Sequence, residues 1–223
     1  MKYNKPHEVP TPEDISFFRS KIIRWFIRHQ RNYPWRKTKN PFKILIAEIM
    51  LRRTKADQVK CVYKQLFTRY PDVEAVIKAN KKKLEKILYP LGLKWRIPTF
   101  STVAKAIKEK YNNKVPKTRE ELKSLPGVGD YVAGAVLSIA YNKKAWIVDS
   151  NIVRLFRRYF GIETSKEGRR DKHVIEIAKI YATVKNPRKA NLAILDFTAL
   201  VCVPRIPHCD KCPLVKKCYY ASH

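Results

Sequence analysis

Acidic residues are scarce. Asp and Glu number 19 among 223 residues, against 48 Lys and Arg, which leaves a formal net charge of +29. A compact chain this basic repels itself unless a polyanion neutralises it. The charge therefore points to nucleic acid first and to an anionic membrane surface second. Thermophilic proteins also accumulate lysine, but usually with glutamate, and acids are what this chain is short of. Long apolar runs are absent too: none approaches the roughly 18 residues needed to span a bilayer. The opening stretch, Met1 to Asp14, holds no hydrophobic signal segment, so the expected location is the cytoplasm, in contact with the nucleoid. The lysine content suggests an archaeal or thermophilic source. Low-complexity tracts and fixed-period repeats are missing. Five cysteines in a reducing compartment argue against a disulfide framework.

What remains reads as helix almost throughout. Thr11-Pro12-Glu13-Asp14 is a start signal, with an N-cap hydroxyl, a first-turn proline and acids at the positive end of the dipole. Phe18, Ile22, Trp25 and Phe26 follow at helical spacing. Asn32 to Trp35 breaks that helix. Ile44, Leu45, Glu48, Ile49 and Leu51 predict a second, mostly buried helix, and Val59, Val62, Tyr63, Leu66 and Phe67 a third. Pro71-Asp72, Pro90-Leu91-Gly92 and Lys94 to Pro98 punctuate the shorter helices that follow. Thr118 to Glu121 is a capping box. No convincing run of alternating strand pattern occurs, so the expected class is all-α. Two helical lobes with a cleft between them are expected, one over 30–140 and the other from 1–29 with 141–223; a cleft of that kind is a common place for a site.

Glycine is rare, with six in all, yet Gly127, Gly129 and Gly134 fall within eight residues. In Leu125-Pro126-Gly127-Val128-Gly129-Asp130-Tyr131, a capped helix leads in and an apolar helix, Tyr131 to Tyr141, leads out. Glycine permits positive φ and close backbone approach, and the N–H groups opening the outgoing helix suit a phosphate. The reading is a helix–hairpin–helix that grips a DNA backbone without reading sequence; an ordinary tight turn is the plain alternative.

Cys202, Cys209, Cys212 and Cys218 lie within seventeen residues, spaced C-x6-C-x2-C-x5-C. Four thiolates this close suit one metal centre. Zinc usually takes two CxxC pairs, so the irregular spacing leans towards iron–sulfur, with disulfides or free thiols as the alternative. Pro204, Pro207 and Pro213 stiffen the loops. Lys211, Lys216 and Lys217 are expected to lower the thiol pKa values. Cys61 stands apart and is expected in the core.

The hairpin, the VDSN run at 148–151 and the four cysteines together resemble the helix–hairpin–helix DNA glycosylase superfamily, and more closely its endonuclease III branch, from about Tyr33 to Cys218. The resemblance implies an all-α, two-lobed fold, a [4Fe–4S] cluster on the four cysteines, and a base flipped out of duplex DNA. Bifunctional members carry a lysine where this chain has Tyr131; without that amine there is no simple route to a Schiff base, so a monofunctional enzyme is expected, although Lys143 or Lys144 could compensate. Asn32 to Arg36 and Ala47 to Leu51 resemble the mismatch-specific subgroup of adenine glycosylases and archaeal thymine mismatch glycosylases. Adenine members usually carry paired glutamines at the place of Arg52-Arg53, and an extra C-terminal domain. Tyr131, Arg52-Arg53 and the short C-terminus therefore resemble the thymine/uracil mismatch type. The expected partner is duplex DNA containing a mismatch, bound by a monomer.

Roles follow from the chemistry. Cleaving an N-glycosidic bond builds positive charge on the sugar, which a fixed carboxylate stabilises while it orients water. Asp149 resembles the family's catalytic aspartate; its plain alternative is the N-cap of the helix Asn151 to Tyr159, and the two roles are compatible. Glu48, among apolar neighbours, is read as a pocket acid that hydrogen-bonds or protonates the flipped base, with an exposed helix position as its alternative. Tyr131 would pack on that base. Gly127, Val128 and Gly129 would hold the backbone, and Arg52 and Arg53 the unpaired guanine, with a solvated basic patch as the plain alternative for the two arginines. A non-enzymatic DNA-binding module would not need Asp149 and Glu48 together. An adenine glycosylase acting opposite oxidised guanine, or a glycosylase with lyase activity, is the alternative enzyme.

Overall fold

The computed structural model describes residues 10–92 and 97–223. All regular structure among them is helical. The expected opening before Pro10 and most of the Lys94–Pro98 break lie outside the described residues. No described helix is long and apolar enough to cross a membrane. The chain divides into two compact units: unit 1 takes the N-terminal segment through Arg31 together with Asn142–His223, and unit 2 takes Asn32–Tyr141.

Unit 1 is built on α1 (Pro12–His29), α10 (Ser150–Phe160), α11 (Lys172–Ala182) and α12 (Pro187–Leu200). Its first helix starts where the sequence predicts: the Thr11 hydroxyl accepts the Asp14 N–H at 3.2 Å, and the Asp14 side chain reciprocates. Apolar residues three and four apart then form one stripe, Ile15, Phe18, Ile22 and Phe26, all buried. Phe18 is the hub, with ring centroids 4.7 Å from Tyr159, 5.1 Å from Phe160 and 5.9 Å from both Phe156 and Tyr181. Truncating such a buried aromatic costs about 3–5 kcal/mol. Helix α10 stops at Gly161, whose φ of +70° ends the helix and where an added Cβ would lie 2.7 Å from Tyr219 Cγ. The last described helix, α13 (Tyr219–Ser222), packs on α10 there.

Unit 2 holds α2 (Pro34–Lys37), α3 (Pro41–Met50), α4 (Ala56–Arg69), α5 (Val73–Ile77), α6 (Lys81–Leu88), α7 (Ile97–Tyr111), α8 (Arg119–Lys123) and α9 (Asp130–Ala135). The Asn32–Trp35 break contains a short helix of its own, because Pro34 at its first turn is pre-set for helical φ. Tyr33 and Trp35 stack at 4.8 Å, and Trp35 meets Tyr63 at 5.5 Å. Helix α3 is buried along nearly its whole length. Cys61, expected in the core, is exposed. The buried stripe of α4 is Val59, Val62, Tyr63, Leu66 and Phe67, and position 61 falls between its members on the solvent side.

The apolar run after the hairpin is not one continuous α-helix. Helix α9 gives way to a π-helical turn, Val136–Ala140, that packs on α3. The fully buried Ser138 hydroxyl donates to the Gly134 carbonyl at 2.8 Å. A buried hydroxyl that takes a helix carbonyl competes with the regular ladder there.

Candidate functional site

The glycine turn joins α8 to α9. The Thr118 hydroxyl accepts the Glu121 N–H at 3.3 Å and donates to the Glu121 carboxylate at 2.7 Å, which fixes the start of α8. Arg119 donates to the Asp130 carbonyl at 2.8 Å, and Lys123 pairs with the Asp130 carboxylate at 2.9 Å, so the two helices are tied across the turn. Gly127 has φ +74°, and a Cβ there would sit 2.8 Å from Thr99 Cγ2. Its glycine is required by the fold. Gly129 differs: it is the N-cap of α9 at φ −103°, and a Cβ there would meet nothing within 4 Å. Val128 between them is buried, and its N–H is held by the Leu125 carbonyl at 3.1 Å. Of the three residues expected at the phosphate, Val128 thus anchors the turn, while Gly129 opens a helix whose first N–H groups have no intrahelical acceptor.

Arg52 belongs to the same feature. Its Nη1 donates to the Gly127 carbonyl at 3.1 Å. Arg53 is exposed and takes a left-handed φ of +56°, a conformation uncommon outside glycine.

Glu48 is 3% exposed on α3, which excludes the exposed-helix alternative. A buried carboxylate among Ile44, Leu45 and Ile49 is costly unless partnered. Tyr131 is half-buried in the first turn of α9. Both belong to unit 2.

Asp149 belongs to unit 1 and caps α10. Its Oδ1 accepts the N–H groups of Asn151 at 3.0 Å and Ile152 at 2.8 Å. Its Oδ2 accepts Asn151 Nδ2 at 2.7 Å. The cap role is therefore real. Three bonds use three of the roughly four acceptor positions of a carboxylate, so a half-buried Asp149 keeps acceptor capacity for a reacting group.

From Asn151 a side-chain chain continues that sequence reading missed. Asn151 Oδ1 accepts Arg154 Nη1 at 2.7 Å. Arg154 also donates to the carbonyls of Cys202 at 2.8 Å and Thr198 at 3.1 Å. One turn on, Arg158 donates to the carbonyls of Val203 and Pro204, both at 2.7 Å, and its Nη1 lies 3.7 Å from Cys202 Sγ. The available signal was the spacing: Asn151, Arg154 and Arg158 share one face of a helix that opens at Asp149.

Cys202, Cys209, Cys212 and Cys218 all line one small cavity beside α10. Burial pushes the Cys212 thiol up to about 11, and neighbouring thiolates add to the rise. Burial also raises Cys218. The expected lowering by lysine does not occur for these two: burial dominates, the neighbouring thiolates add to it, and backbone N–H groups rather than lysines oppose it. Lys211 and Lys216 are exposed, and the Lys217 ammonium lies over the Phe17 ring at 4.3 Å. Among the described residues no three potential ligands converge tightly enough for a single metal ion. An all-sulfur donor set around one cavity, backed by a guanidinium, fits a soft multi-iron cluster.

Residues 46–180 match the HhH-GPD superfamily of base excision DNA repair proteins, and the chain belongs to that family; it is a DNA N-glycosylase by class. It is 37% identical over 204 residues to a thymine/uracil-DNA glycosylase of Methanothermobacter thermautotrophicus, covering 91% of this chain and 92% of that one. It is 33% identical to a thymine-DNA glycosylase of Aeropyrum pernix, covering 94% and 96%. An adenine DNA glycosylase of Buchnera aphidicola is 32% identical, over 92% of this chain and 59% of that one. Among solved structures, a thermostable thymine-DNA glycosylase superposes with a TM-score of 0.85 at 36% identity, covering 93% and 96%. A trapped endonuclease III–DNA covalent intermediate superposes at 0.79 with 25% identity, covering 96% and 98%.

Proposed function

We propose that this chain removes thymine or uracil opposite guanine in duplex DNA and leaves the strand intact. The observation that carries the reading is the similarity, over nearly the whole of both chains, to thymine/uracil-DNA glycosylases. In the proposed reaction the bond between C1′ and the base nitrogen breaks and a bond from a water oxygen to C1′ forms. The water proton is released, and the base leaves with the bonding electron pair and takes up a proton. Asp149 stabilises the positive charge on the sugar and orients the water through its remaining acceptor position. Glu48 hydrogen-bonds the departing base or supplies its proton, and Tyr131 packs on it. Gly129 and the first N–H groups of α9 meet a backbone phosphate, and Arg53 faces the widowed guanine. The partner is a mismatched duplex, bound by a monomer.

The four cysteines are read as ligands of a [4Fe–4S] cluster, whose role in this reading is to brace the loop after α12. Arg154 and Arg158 hold that loop against α10.

A panel of duplexes carrying T·G, U·G, A·G and A opposite oxidised guanine tests the reading. Release of T and U, with strand breaks only after alkali, is expected. Release of adenine alone would replace it with the adenine-glycosylase reading.

A further inference from the structure

Unit 1 is made from two pieces of chain, so the backbone crosses its border after Arg31 and again before Asn142. Both crossings are tied to α12. At the first, Asp196 Oδ2 accepts the Arg31 N–H at 2.9 Å, and Oδ1 accepts Arg31 Nε at 2.6 Å. The Asp196 side chain is fully buried. At the second, Asn142 takes a left-handed φ of +52°. Its Oδ1 accepts the backbone N–H of Arg188 at 3.3 Å. Three residues on, the Ala145 carbonyl accepts Asn191 Nδ2 at 2.8 Å, and both residues are buried.

Helix α12 otherwise buries mostly apolar side chains. A carboxylate and a carboxamide inside such a helix are costly unless hydrogen-bonded, and the bonds described here go to the two crossings. Beyond Ala145 the chain runs without regular structure to Asp149, with Ile147 and Val148 buried. Four residues span at most about 14 Å, so the Asn191 bond anchors the chain close to the carboxylate. The caps of Asp149 orient it on α10; the α12 bonds hold the segment that delivers it.

We propose that Asn142 and Asn191 are positioning residues for the glycosylase reaction, and that α12 brackets both chain crossings so that the 142–149 segment presents Asp149 in one place. This rests on the reading of Asp149 as catalytic. Neither asparagine touches substrate. Misplacing a reacting group by about 1 Å can cost about 100-fold in rate.

Three variants test it. Asn142→Gly tolerates positive φ and removes only the acceptor for Arg188. Asn142→Asp keeps that acceptor and tolerates the same backbone. Asn191→Asp replaces the donor to Ala145 at constant size. Amide exchange of the peptide 142–149 is read with no DNA present. Single-turnover base release from a T·G duplex and affinity for undamaged duplex are read beside it. In Asn142→Gly and Asn191→Asp we expect exchange of 142–149 to accelerate at least tenfold, base release to slow at least tenfold, and affinity to stay within twofold. Asn142→Asp should recover most of the loss. Because residue 142 is exposed, the two Asn142 variants decide the matter even if Asn191→Asp does not fold. Unchanged exchange in Asn142→Gly overturns the bracket; faster exchange with wild-type base release overturns the positioning role. A wild-type protein that releases no base from any duplex overturns the reading of Asp149 instead, while the exchange result still judges the bracket.

Discussion

The Arg52 guanidinium donates to the main-chain carbonyl of Gly127 at 3.1 Å. The residue next after the C-cap of α3 thereby steadies the turn between α8 and α9. The neighbouring Arg53 takes a left-handed conformation, and both arginines are exposed. The two arginines read as a pair in sequence thus differ in their surroundings: Arg52 braces the hairpin through the Gly127 carbonyl, while Arg53 holds a positive φ.

The two hairpin glycines should fail in opposite ways. Gly127→Ala forces a side chain into positive φ and against Thr99, at a cost of at least about 1–2 kcal/mol for the backbone alone. Gly129→Ala should cost under about 1 kcal/mol; under the proposed reading, in which a phosphate approaches Gly129, the added methyl should also weaken duplex binding. Thermal melting and binding across a salt series separate the two. For every phosphate no longer neutralised, the slope of log K against log salt should fall by about 0.9.

Asp149→Asn keeps an acceptor for the Asn151 and Ile152 N–H groups and removes the charge. Asparagine caps about as well as aspartate, so the melting temperature should change little. Base release should fall by orders of magnitude, at tenfold for each 1.36 kcal/mol of lost stabilisation. Single-turnover assays decide; wild-type rates would leave Asp149 as a cap only.

Tyr131 supplies no amine. Borohydride trapping of the wild-type protein on mismatched DNA should give no covalent adduct. An adduct would mean that another lysine, Lys143 or Lys144, supplies the nucleophile.

Arg158→Met removes donors to Val203, Pro204 and the Cys202 sulfur. Purified wild-type protein should be brown and contain iron. The variant should lose iron to a chelator several-fold faster, followed by its visible absorbance. Zinc without iron would overturn the cluster assignment.

Burial pushes the phenols of Tyr63 and Tyr141 up to about 12, from about 10 in an unfolded chain. A raised folded-state pKa stabilises below the unfolded value, and that contribution is lost as pH climbs through the folded one. Stability should therefore fall between about pH 10 and 12. Tyr63→Phe should flatten that fall in a denaturant series taken at each pH.

The helices were legible because each carries its own signal. Thr11 with Asp14, Thr118 with Glu121, and the stripe Val59 to Phe67 need no tertiary partner to be recognised. The hairpin and the four-cysteine spacing were equally plain, because glycine scarcity and thiol clustering are local facts. Cys61 was misplaced by residue type: cysteine is usually buried, but the stripe Val59 to Phe67 already sets position 61 on the opposite, solvent side of α4. Local pattern could not foresee the π-helical turn, where the buried Ser138 hydroxyl bonds back to the Gly134 carbonyl. The thiols of Cys212 and Cys218 shift the other way for a similar reason: basic neighbours in sequence suggest thiolate, while burial in three dimensions opposes it. The links from Asp149 through Asn151 and Arg154 to Cys202, and from α12 to both crossings, span 46 to 165 positions along the chain. Sequence alone determined the all-helical class, the basic surface and the candidate chemistry. Tertiary structure alone decided which polar groups meet, because buried hydrogen bonds form only where packing brings distant residues together and excludes the water that would otherwise satisfy them.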